Sequence, residues 1–94
     1  GAIREKATAL TGFGLDLVDQ WGLDSPTPRD AARRGGHLSV QHPEARSLVE
    51  VLAAEDGVLA DFRQPDLVRL GCSPLTTRFT DVFAAVAALH HRTA

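Results

Sequence analysis

Val58-Leu59-Ala60-Asp61-Phe62-Arg63-Gln64-Pro65-Asp66-Leu67-Val68-Arg69-Leu70-Gly71-Cys72 is the stretch on which the reading of the fold turns. At a period of two, Val58, Ala60 and Phe62 share one face, and so do Val68, Leu70 and Cys72, the spacing of a half-buried strand. Between the two runs lie Gln64, Pro65 and Asp66, whose turn chemistry predicts a hairpin of strands 58–63 and 67–72. On the second strand the shared face of Val68, Leu70 and Cys72 leaves Arg69 pointing to the other side. Just upstream, Leu38 and Val40 alternate with His37, Ser39 and Gln41, giving a further short strand.

Helical periodicity frames these strands. Ile3, Ala7, Leu10, Gly14, Leu17, Val18 and Trp21 predict an amphipathic helix over 2–21, ended by Gly22. Gly12 and Gly14 each cost such a helix about 1 kcal/mol relative to alanine, which suggests close packing or a local irregularity. Residues 22–36 have no apolar period and read as a loop, long for so small a domain and therefore expected to be functional or to pack on a neighbour. Pro43 and Glu44 open a second helix carrying Ala45, Leu48, Val49 and Leu52, and Gly57 stops it. Thr76 or Thr77 is expected to cap a last helix with Phe79, Val82, Phe83, Val86 and Leu89 on one side and His90, His91 and Arg92 at its negative end.

The order helix, loop, β, α, β, β, α predicts an α+β domain: a small, largely antiparallel three-stranded sheet with helices packed on one face. A right-handed crossover makes the two strands flanking the middle helix parallel, with the hairpin strand placed between them. The chain divides into an opening helix (1–21), a loop (22–36) and the βαββα unit (37–94), together a single domain.

Composition closes off several classes of function. The 94 residues are 44% apolar and 23% charged with a net charge of −2, which gives no footprint for nucleic acid. Charges interrupt every apolar run before membrane-spanning length, and Gly1 to Lys6 do not build a signal peptide, so no membrane partner and a cytoplasmic location are expected. The one cysteine, Cys72, has no disulfide partner and reads as a small buried hydrophobe. His37, His42, His90 and His91 lack zinc-ligand spacing, and there is no nucleophile elbow or phosphate-cradling loop, so no metal site and no self-contained catalytic centre are expected.

The arginines remain. Arg29, Arg33 and Arg34 form a basic loop, solvated or docked on an acidic surface. Arg63 ends a strand beside Asp61, and an exposed ion pair of that kind contributes about 0–1 kcal/mol. Arg69, mid-strand, suits presentation of a planar fork to a carboxylate, although a plain surface arginine has the same pattern.

The run Asp61-Phe62-Arg63-Gln64-Pro65, the strand arginine Arg69, Pro74-Leu75 and then Phe79, Asp81 and Val82 resembles the C-terminal signature of kynureninases. Thr27-Pro28, Arg34-Gly35, the strand His37 to Val40, and Arg4, Lys6, Leu10 and Thr11 match further family positions in order, so the resemblance covers nearly the whole chain. It implies the C-terminal small domain of a fold-type-I pyridoxal-phosphate enzyme, a homodimer that hydrolyses L-kynurenine to anthranilate and L-alanine in tryptophan catabolism. The large cofactor-binding domain would then be missing from this chain, and the fragment alone inactive.

The resemblance further implies that Arg69 binds the substrate α-carboxylate and that Asp61, Arg63 and Pro65 shape the hairpin carrying it. No residue of this chain is implied to be catalytic, to hold the cofactor or to bind metal. Two positions depart from the family pattern. Thr76 stands where a tyrosine is common, and the only lysine, Lys6, does not match the Schiff-base position. Two other readings fit the arginine: a non-catalytic amino-acid-binding regulatory module, and the small domain of another fold-type-I enzyme such as an aminotransferase or cysteine desulfurase.

Overall fold

In the computed structural model, which describes residues 1–94, the helical periodicity of the opening segment becomes α1 (Ala2–Gln20). It is followed by β1 (His37–Gln41), α2 (Ala45–Val51), β2 (Asp61–Arg63), β3 (Leu67–Gly71) and α3 (Phe79–Thr93). β3 lies between β1 and β2 and is antiparallel to both, so β1 and β2 run parallel to each other. The α+β architecture and the hairpin are therefore as expected from the sequence pattern, and its second strand takes the central place.

The alternation along the strands determines which face is dry. Leu38 and Val40 oppose Leu70 and Val68 across the β1–β3 ladder, and all four are buried. On the same face lie Leu10, Leu15, Leu17 and Val18 of α1, Leu48 and Leu52 at α2, and Val82, Val86 and Leu89 of α3, forming one core cluster. Burying a leucine-sized side chain contributes about 1.5–3 kcal/mol, so this single layer of contacts dominates the folding energy. Arg46 of α2 covers the same face at its edge, its guanidinium carbon 4.4 Å from the Phe62 ring centroid. All three helices thus share one face of the sheet, and the other face carries His37, Ser39, Gln41, Asp61, Arg63 and Arg69.

Close approach of α1 to the sheet explains one of its glycines. A Cβ at Gly14 would lie 2.6 Å from Leu38 Cδ2 and 3.2 Å from Val82 Cγ1, so the helix sits nearer to β1 and α3 than any side chain at that position permits. The helical penalty of glycine is here the condition for packing.

Two boundaries differ from expectation, while Gly57 ends the second helix as expected. The strand expected from Val58 begins only at Asp61, because the Val58 N–H donates to Leu52 O at 3.0 Å and is spent on closing the preceding helix. That helix ends in a wide turn, Leu52–Asp56, and Gly57 leaves it with φ +67°, a left-handed conformation natural to glycine. α2 begins at Ala45 rather than Pro43, with the Glu44 N–H donating to His42 Nδ1 at 3.0 Å.

At α3 the expected threonine cap is also displaced. The Thr76 and Thr77 N–H groups both donate to Ser73 O, within a turn that precedes the helix. Arg78 occupies the N-cap instead, and Asp81 one turn into the helix accepts the Arg78 backbone N–H at 2.8 Å. A carboxylate at this end also complements the helix dipole.

The 22–36 segment is ordered by the sheet. Gln41 N–H donates to Asp24 O at 2.7 Å, Ser39 N–H donates to Thr27 Oγ1 at 2.9 Å, and Ser25 Oγ donates to Ser39 O. These bonds satisfy the free edge of β1, which would otherwise present unpaired backbone groups. Thr27 is buried as a result.

Candidate functional site

Arg69 stands in the middle of β3, and β3 is the middle strand, so its guanidinium rises from the centre of the face opposite the helices. Its cross-strand neighbours are Ser39 on β1 and Asp61 on β2. The side chain is only 25% exposed, and Asp61 is 66% exposed. Arg69 Nη2 donates to Asp61 Oδ2 at 3.1 Å. Arg69 Nε, by contrast, is buried and has no hydrogen-bond partner. A buried donor left unmet costs on the order of 1–3 kcal/mol, so a guanidinium held in this state favours any acceptor that can reach it.

The hairpin determines the ion pair. Residues equidistant from Pro65 face each other, so Asp61 opposes Arg69 and Arg63 opposes Leu67. The ion pair expected between Asp61 and Arg63 is therefore replaced by one between Asp61 and Arg69, since neighbours two apart on one strand share a face without direct opposition. Arg63 is exposed and makes no ion pair. The signal was present in the hairpin count about Pro65. Pro65 itself is exposed at the turn, after a cis peptide bond from Gln64. Asp66 ties that turn to the end of β1, its carbonyl accepting from His42 N–H at 2.9 Å and its carboxylate from Gln41 Nε2 at 3.0 Å.

The three loop arginines separate into different roles. Arg34, half-buried, lies against α1: Nε donates to Thr11 Oγ1 at 3.0 Å, Nη2 to Thr8 O at 3.0 Å and Nη1 to Arg29 O at 2.8 Å. A Cβ at Gly12 would lie 3.2 Å from Arg34 Nη2, which accounts for the second helix glycine. Arg29 bonds Asp19 at 2.6 Å and the Thr27 carbonyl at 2.8 Å. Arg33 is exposed. Two of the three therefore fasten the loop to α1 rather than standing in solvent.

Other polar groups are structural. Asp56 and Arg92 pair through two bonds of 2.7 and 3.1 Å, and the guanidinium holds the Asp56 carboxyl below the usual carboxylate range. His90 stacks on Trp21 with centroids 5.0 Å apart. Burial raises the Cys72 thiol above its ordinary value. No three His, Cys, Asp or Glu side chains gather as metal ligands, and no helix is long and apolar enough to cross a membrane.

The chain as a whole matches a known family. The model of the kynureninase C-terminal domain matches residues 3–89. The chain belongs to the kynureninase C-terminal domain family. It is 40% identical over 92 residues to the kynureninase of Pseudomonas fluorescens, a match covering 94% of this chain and 22% of that protein. The kynureninase of Burkholderia mallei (strain SAVP1) matches with the same identity and coverage. The chain spans about a fifth of the length of these kynureninases. Its fold also resembles part of the crystal structure of 8-amino-7-oxononanoate synthase from Francisella tularensis, with a TM-score of 0.80 at 18% identity, over 99% of this chain and 28% of that one. Membership in the kynureninase C-terminal domain family sets aside the aminotransferase and cysteine desulfurase readings.

Proposed function

We propose that this chain serves as the C-terminal domain of a kynureninase, a pyridoxal-phosphate-dependent hydrolase that converts L-kynurenine to anthranilate and L-alanine, and that Arg69 is its contribution to the substrate site. The observation that carries the reading is the buried, unpartnered Nε of Arg69 on the open face of the sheet. A guanidinium is always charged and offers parallel N–H donors that fit a carboxylate in two-point contact. Its mounting on the central strand supports this role, since a rigid strand holds the fork in one place. Held there, the rest of an amino-acid substrate is oriented toward chemistry performed by other parts of the enzyme, an effect of position rather than proton transfer.

The chain's own residues do not fit a cofactor site. The only lysine, Lys6, is exposed on α1. Lys6 does not line the shallow cleft of about 400 Å³ between the start of α1 and the 34–36 segment, where Arg34 already donates to Thr8, Thr11 and Arg29. On this reading the cofactor is held by a large domain, the enzyme is a cytoplasmic homodimer, and the isolated fragment is inactive. Ile3, Leu59 and Leu75, all well exposed, support a covering partner domain.

The test is kinetic, in the enzyme that contains this domain. Arg69→Ala is expected to lower kcat/KM for L-kynurenine by at least about tenfold, since a hydrogen bond to a charged group contributes about 1.5–3 kcal/mol. Arg69→Lys recovers little, because a point charge does not reproduce the fork. Near-normal kinetics in Arg69→Ala, with activity abolished in Arg63→Ala, would move the carboxylate clamp to the end of β2.

A further inference from the structure

Asp61 does more than shape the hairpin. We infer that it is a positioning residue for the carboxylate site, holding the Arg69 guanidinium by one corner so that its remaining donors face an incoming carboxylate. The inference rests on the reading of Arg69 given above.

Four features of the structure lead there. Asp61 and Arg69 are direct cross-strand partners, so the contact is dictated by backbone register and does not depend on a flexible loop. The contact is single: one carboxylate oxygen meets Nη2, at 3.1 Å, and Nε is left without a partner. Asp61 has no competing obligation, for the nearby Arg63 makes no ion pair. Finally, the two groups differ in exposure. The arginine is three-quarters covered and its acceptor mostly solvated, so the anchor's charge is screened by water while the guanidinium is kept in the sheet.

An arginine side chain without such an anchor samples many rotamers, and the cost of ordering it falls on each binding event. Anchored at Nη2, Arg69 is ordered beforehand. A doubly bonded Asp61 would consume the fork and exclude the ligand, whereas the single contact seen here leaves donors available. The opposite role, a competing anion that must be displaced, predicts the opposite sign in the experiment.

The experiment uses the full-length enzyme with Asp61→Ala, Asp61→Asn and Arg69→Ala variants. Two probes are compared: L-kynurenine as substrate, and kynuramine, the same molecule without its carboxylate, as inhibitor. We expect Asp61→Ala to lower kcat/KM for L-kynurenine about tenfold while the inhibition constant of kynuramine stays within about twofold. Asp61→Asn, which keeps one acceptor oxygen, should restore most of the loss. Equal weakening of both probes would mean a general structural role and would overturn the inference. Tighter use of L-kynurenine by Asp61→Ala would overturn it too, by showing that Asp61 competes. If Arg69→Ala loses activity while Asp61→Ala does not, only the positioning role fails. Normal turnover in Arg69→Ala removes the Arg69 reading and this inference together.

Discussion

Replacing Gly14 with alanine tests the packing of α1 on the sheet. The new Cβ would stand 2.6 Å from Leu38 Cδ2, and Leu38 is fully buried. Carbon atoms pack at about 3.5–4.0 Å, so that methyl group must retreat by roughly 1 Å into a filled core. Overpacking of this kind costs about 1–3 kcal/mol. Against it, alanine gains about 1 kcal/mol over glycine in a helix interior. The net expectation is a loss of about 0–2 kcal/mol.

A double-mutant cycle isolates the clash. Leu38→Val removes the offending methyl, so Gly14→Ala in that background should retain its helical gain and become stabilising by up to about 1 kcal/mol. The coupling between the two sites is then about 1–3 kcal/mol. Urea unfolding followed by the fluorescence of the single tryptophan, Trp21, reads it, since that ring sits between Phe83 and His90 at the α1–α3 contact. Coupling below about 0.5 kcal/mol, the range of independent sites, would refute the proposed closeness of α1 and β1.

Arg34→Ala should destabilise the domain by about 1.5–3 kcal/mol in the same assay, because three donor contacts to α1 and the loop are lost, and Arg34→Lys should rescue little. Asp56 and Asp81 both have carboxyls held below the ordinary value of 3.8 by side-chain bonds to Arg92 and Arg78. Their contribution is full above that value and is lost as pH falls through the depressed folded values; acid titration of unfolding should therefore show a shallower decline in Asp56→Asn. Cys72, buried and with its thiol raised, should resist a thiol reagent at neutral pH in the folded chain and react promptly in denaturant. Fast labelling of the folded chain would contradict its placement under the core.

Much of this architecture was legible where local periodicity and tertiary packing agree. The run from Ile3 to Trp21 and the Gln64-Pro65-Asp66 turn each state their structure without outside help. What was hidden depends on partners distant in sequence. Arg34 reads as a charge in a polar loop until α1 brings Thr8 and Thr11 beside it, across 26 and 23 residues. Val58 and Ala60 alternate like a strand, yet the Val58 amide is claimed by Leu52 before the ladder begins. Thr76 and Thr77 are plausible caps by residue type, but the Ser73 carbonyl claims their amides first. At the site, position and orientation of Arg69 follow from alternation alone. Its ion-pair partner required the register, and the buried, unmet Nε required the full surroundings.

The most direct test of the central claim is a crystal structure of the full-length enzyme with an amino-acid substrate or L-alanine bound. Two N–H groups of Arg69 are expected on the ligand carboxylate at about 2.7–2.9 Å, with Asp61 still holding the guanidinium. A carboxylate seated on another residue, with Arg69 bonded to Asp61 alone, would contradict it.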